Sequence, residues 1–159
     1  MIMNNWFACK VKIEILTDGG MLKPQTDTYL VDALNFTEAE TRVLKEVTPF
    51  THGAIDVTDI KRAKFAEMFT DSSESADKWY KVKCKFITID EKTDKEKETA
   101  QNMLVQAGSF HDAVKNFDNG MKGSMMDYKI AAVTETNILD VFPYDAAKEE
   151  PEAKPEYEQ

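Results

Sequence analysis

The chain has 159 residues, 42% of them apolar, and a formal net charge of -9. That length supports one domain or two small, intimately packed ones, and the sign of the charge argues against a protein that coats duplex DNA over a broad surface. No apolar run reaches the roughly 18 residues of a membrane-spanning helix, and Met1-Ile2-Met3-Asn4-Asn5 lacks the basic and apolar regions of a secretory signal. A cytoplasmic protein without membrane contact is expected.

In chain order, residues 6–16 alternate. Phe7, Cys9, Val11, Ile13 and Ile15 fall on one face, and Trp6, Lys10 and Lys12 on the other. A period of two with one apolar side marks a half-buried strand. Thr17-Asp18-Gly19-Gly20 is a turn signal, followed by a polar loop through Pro24. Residues 28–33 read as the returning strand of a hairpin. Asn35 then caps a helix, with Glu38 answering it, and Phe36, Ala39, Val43 and Val47 form a stripe expected to be buried. Pro49 ends that helix. Residues 54–60 read as a third strand, which residues 61–69 either continue or follow with a short helix; the periodicity does not decide. Residues 71–77 carry no large apolar side chain and read as a polar linker.

Residues 79–89 then restate the opening. Tyr80, Val82, Cys84 and Phe86 share one face, while Trp79, Lys81, Lys83 and Lys85 share the other, which is expected to meet water. The next stretch, 90–99, is nearly all charge and should project as a loop. Residues 103–107 answer 29–33, Ser109 answers the Asn35 cap, and Phe110, Ala113, Phe117 and Met121 repeat the helical stripe. Residues 128–133 answer the third strand, and Phe142 lies 73 residues after Phe69. The offset stays at 73 or 74 from Trp6 to Phe69, and unrelated amphipathic segments would not hold such a register across four elements and a linker. The expected fold is therefore α+β: an internal duplication of a strand-strand-helix-strand unit packed as a pseudo-twofold pair. The first repeat is read as 1–69, the linker as 70–77 and the second repeat as 78–142.

Residues 143–159 leave the pattern. Six acids (Asp145, Glu149, Glu150, Glu152, Glu156, Glu158) against Lys148 and Lys154 give this stretch -4, which leaves -5 on the body. Its low hydrophobicity and prolines predict a disordered acidic tail.

Several segments together resemble domain-of-unknown-function family 4494: Asn5-Trp6-Phe7, the run from Tyr29 to Leu34, Phe36-Thr37-Glu38-Ala39-Glu40, the run from Val57 to Lys64, Lys78-Trp79-Tyr80, and Asp140-Val141-Phe142-Pro143-Tyr144. The resemblance covers residues 1 to about 144 and implies a bacterial or phage cytoplasmic protein, of Bacteroidetes or their phages. It carries over no activity and no site residues.

Enzymatic signatures are sparse. His52 and His111 do not occupy equivalent repeat positions, no Cys/His spacing fits a metal, and no phosphate-binding glycine loop or nucleophile elbow occurs. Cys9 and Cys84 sit on the apolar strand faces and are expected to be buried free thiols. A non-enzymatic accessory protein without metal or cofactor is expected. The candidate binding surface is the Trp/Lys strand faces: Trp6, Lys10 and Lys12 with Trp79, Lys81, Lys83 and Lys85, extended by Lys61, Arg62 and Lys64. Rings that stack bases beside cations that hold phosphates are the equipment of single-stranded DNA or RNA binders. Two alternatives stand beside this. The lysines also keep strands soluble while the tryptophans pack inside. The protein would then bind a protein or small ligand in a cleft between the repeats, or a protein partner through the acidic tail.

Overall fold

The computed structural model describes residues 5–144. They form two four-stranded mixed sheets, each carrying one helix, in two compact units. Residues 5–62 with 140–144 make the first unit and Ala63–Leu139 the second.

In the first unit, β1 (Trp6–Leu16) and β2 (Leu22–Asp32) form a long antiparallel hairpin, in register from Trp6 opposite Asp32 to Leu16 opposite Leu22. Its turn closes through Thr17 N donating to Met21 O and Gly20 N to Thr17 O, with Gly20 at φ +78°. That left-handed conformation is cheap only for glycine. Helix α1 (Phe36–Val47) starts where expected, with the Asn35 side chain accepting from Glu38 N at 2.8 Å. β3 (Ile55–Ala63) and β8 (Ile138–Phe142) complete a sheet of order β3-β1-β2-β8. The core lies between sheet and helix: Phe7, Cys9, Val11 and Ile13 meet Ala39, Val43 and Val47, as the alternation and the helical stripe require.

The second unit repeats this plan with β4 (Glu67–Phe69), β5 (Lys78–Ile89), β6 (Glu96–Ala107), α2 (Phe110–Gly120) and β7 (Asp127–Glu135), in the order β4-β6-β5-β7. Ser109 accepts from Asp112 N at 3.2 Å and so caps α2 as Asn35 caps α1. Val82, Cys84, Met103 and Val105 pack under Phe117 and Met121. Residues 61–69 split: 61–63 finish β3, and Glu67–Phe69 is a separate strand running parallel to Met103–Val105. The expected charged loop of 90–99 is shorter than read, because Glu96 to Thr99 pair with Phe86 to Ile89. Charged side chains need only one solvated face, and an antiparallel ladder provides it.

One expectation fails in both helices. Phe36 is 44% exposed and Phe110 52% exposed, although each starts its buried stripe. As the first helical residues they stand at the margin of the core, where neighbours cover only part of the ring. Phe36 is held edge-on by Phe7 at 4.9 Å.

The sequence repeat and the compact units do not coincide, because the last strands change places. Glu67–Phe69 ends the first repeat but lies in the second unit's sheet, while its counterpart around Asp140–Phe142 lies in the first unit's sheet. Equivalent helix side chains anchor the segment just past each of these last strands, through a backbone carbonyl in one unit and a carboxylate in the other. Arg42, 6% exposed, donates to Asp32 O and, at 3.1 Å, to Pro143 O. Its counterpart Asn116 donates to Gln106 O at 2.9 Å and to Asp71 Oδ2 at 3.0 Å. Pro143 and Tyr144, counted with the tail from sequence, are thus tied to α1, while the rest of that tail lies outside the described residues.

The polar stretch 71–77 is docked rather than free. Asp71 N donates to Gln106 Oε1, Gln106 Nε2 donates to Ala76 O, and Ser73 donates to Asp71 Oδ1 from both its backbone and its hydroxyl. The Ser73 bonds, with one from Asn116, hold the Asp71 carboxyl below its ordinary range. Gly108 allows the approach, since a Cβ there would lie 2.2 Å from Ser75 O.

Candidate functional site

The sheet faces opposite the helices carry the expected Trp/Lys rows, but the rows divide. Trp6 and Trp79 are 4% and 6% exposed, so the indoles are buried and offer no platform for an incoming base. This corrects the reading of both tryptophans as solvent-facing rings. Leu30, opposite Ala8, and Leu104, opposite Lys81, are also fully buried on these faces. Each face therefore has an apolar end as well as a lysine end. The signal was available in Tyr29-Leu30-Val31 and Met103-Leu104-Val105, where alternation gives way to continuous apolar triplets, the pattern of a strand buried on both sides.

The lysines beyond the apolar end are solvated. Lys10 stands opposite Thr28, and Lys12 opposite Thr26. Thr58 of β3 donates its hydroxyl to Lys10 O at 3.3 Å. In the second unit Lys81 lies between Leu104 and Thr134, and Lys83 between Asn102 and Ala132. None of these four lysines has an ion pair among the described residues. Lys85 differs: its ammonium is 3.6 Å from Glu98, which also takes Lys129 at 2.6 Å. Lys129 holds the Glu98 carboxyl below its ordinary range.

The residues expected to extend this surface do not join it. Lys61 pairs with Asp59 at 3.7 Å. Arg62 lies on the helix side, its guanidinium 5.2 Å from the centroids of both Phe7 and Phe36, and it donates to Asn5 Oδ1 at 3.2 Å. In the second unit Lys78 and Glu135 meet at 3.3 Å in the equivalent positions, so the contact is kept while the charge on the third strand is reversed. Lys64 is exposed in the connection after β3 and falls in the second unit.

The remaining reactive groups are accounted for structurally. Both cysteines are free and buried; burial pushes the Cys9 thiol up to about 11 and raises that of Cys84. His52 Nδ1 accepts from Leu16 N, and His111 lies edge-on to Phe110. Among the described residues no three His, Cys, Asp or Glu side chains cluster to hold a metal, and no helix is long and apolar enough to cross a membrane. A cleft of about 580 Å³ in the second unit lies between Phe69, Asp71, Asn116 and Gly120. Asp71 and Asn116 are already bonded to one another there, which makes the cleft a seam of the docked segment.

The fold and these faces define an α+β protein of duplicated four-stranded units with a lysine row on each sheet. The chain belongs to the family described as a domain of unknown function (DUF4494), which matches residues 5–144. No curated protein matches the chain.

Proposed function

We propose that this is a non-enzymatic protein that binds single-stranded nucleic acid through its phosphates, using Lys10 and Lys12 on one sheet and Lys81 and Lys83 on the other. The observation that carries the reading is that all four lack an ion pair among the described residues. In a chain with 29 acids and 20 bases, lysines kept only for solubility would readily acquire carboxylates opposite them, as Lys85 has. Lys10 and Lys12 face threonines across β2, and Lys81 and Lys83 face leucine, threonine, asparagine and alanine across β6 and β7. Lysines two residues apart on a strand stand about 7 Å from one another, so each pair offers two separate phosphate contacts. The burial of the tryptophans removes base stacking from the mechanism. Binding on this reading is electrostatic, weak and indifferent to base identity.

The test is fluorescence anisotropy of a labelled single-stranded oligonucleotide over a salt series, with the full chain and with a chain ending at Tyr144. Two phosphate contacts per sheet give a slope of log K against log salt of about -1.4 for each sheet engaged. Removing the acidic tail should tighten binding. Lys10→Glu with Lys12→Glu, or Lys81→Glu with Lys83→Glu, should each remove one such contribution. No binding at low salt to single-stranded DNA or RNA by the shortened chain refutes the reading.

A second reading, a protein-binding adaptor, is favoured by one observation. The first hairpin exposes Leu16, Met21 and Leu22 at its tip, where the second hairpin carries Asp90, Glu91, Lys92, Asp94 and Lys95. Apolar side chains presented together on a projecting turn suit a protein surface. On this reading Met21→Glu would abolish partner capture and leave oligonucleotide binding unchanged.

A further inference from the structure

We infer that the two halves of the chain, cut within the segment 71–77, complete one another by exchanging their last strands and stay together without the peptide bond that joins them. This concerns the assembly of the fold and is independent of the ligand.

The inference starts from the offset. Glu67, Met68 and Phe69 correspond to Asp140, Val141 and Phe142 at 73 residues, so β4 and the end of β8 are the same strand of the repeated unit. Each is an outer strand of a sheet whose other three strands come from the opposite half. β4 pairs Glu67 to Phe69 with Met103 to Val105. Its Phe69 ring packs edge-on against Phe117 at 5.8 Å and enters the space left by Gly120, where a Cβ would lie 2.5 Å from the ring. In return, Phe142 stacks on Tyr29 at 5.5 Å, and Arg42 donates to Pro143 O. Each half therefore gives an aromatic anchor to a core built by the other. A half alone would leave that anchor exposed and one strand edge open, which is unfavourable for both pieces. The energetic link between the halves is thus non-covalent packing and strand pairing. The peptide bond within 71–77 raises their effective concentration, while Asp71, on the first half, adds hydrogen bonds to Gln106 and Asn116 of the second.

The experiment uses the full chain with a protease recognition sequence inserted after Glu74, an exposed position. The uncut protein is first shown to keep the circular dichroism of the parent. After complete cleavage, size-exclusion chromatography with light scattering should give one species with the mass of the uncut chain, containing both pieces. They should part only in denaturant. Elution as two separate pieces, or loss of the folded spectrum on cutting, overturns the inference. A second variant identifies what holds them. Gly120→Ala places a methyl group against the Phe69 ring and should shift separation of the cut pieces to lower urea. An unchanged separation point would mean that the exchanged strand is not the link, and would equally overturn the inference.

Discussion

Phe110 and Phe117 lie on one helical stripe, and a reading by periodicity ranks them alike; the structure separates them sharply. Phe117 has no exposed surface and makes edge contacts with Phe69 and Tyr128 at 5.8 and 5.6 Å. Truncating a core phenylalanine costs about 3–5 kcal/mol, lost transfer energy plus the cavity left behind. Two aromatic contacts, each about 0.5–1.5 kcal/mol beyond area, place Phe117→Ala near the top of that range. Phe110 is 52% exposed. Full burial of such a side chain contributes about 1.5–3 kcal/mol, so half of it, with no cavity, gives about 1 kcal/mol for Phe110→Ala. With a urea slope of about 2 kcal/mol/M, the midpoints should fall by about 2 M and about 0.5 M respectively. Urea titrations followed by far-ultraviolet circular dichroism, at equal slope, measure both. Equal losses for the two variants would refute the placement of α2 on its sheet.

Arg42→Ala removes charged hydrogen bonds to Asp32 O and Pro143 O from a buried site. With about 1.5–3 kcal/mol for a hydrogen bond to a charged group, it should lower stability by about 3 kcal/mol in the same titration. A loss below about 0.5 kcal/mol, the range of surface changes, would mean that the end of β8 does not depend on α1. Alkaline pH should also destabilise the fold. Burial raises Cys9 from its ordinary 9.0 to about 11, and burial with Asp27 and Asp140 raises Tyr29 from 10.0 to about 12. The folded chain holds these protons more tightly than the unfolded one, so their contribution is complete below about pH 9 and declines as pH rises through 11 to 12. Urea midpoints that stay constant from pH 8 to 11 would contradict this.

The sequence by itself determined the local structure and its repetition. Alternation placed Phe7, Cys9, Val11 and Ile13, and again Tyr80, Val82 and Cys84, on inner strand faces, because a strand has no other way to divide apolar from polar side chains. Asn35 and Ser109 marked helix starts because a short polar side chain there satisfies an otherwise unpaired backbone N–H. Register across the two copies made the duplication legible without any coordinates. Tertiary structure alone decided three things. It buried Trp6 and Trp79: the apolar triplets at 29–31 and 103–105 mark a covered second face on the partner strands, but the period of two on β1 and β5 does not say how far that cover reaches. It tied down 71–77 through Gln106 and Asn116, partners more than 30 residues from Asp71 that local composition does not reveal. It also assigned each repeat's last strand to the other unit's sheet. β4 and β8 are short, so their own sequences do not say which sheet each joins; in the fold Phe69 fills the gap at Gly120 and Phe142 stacks on Tyr29.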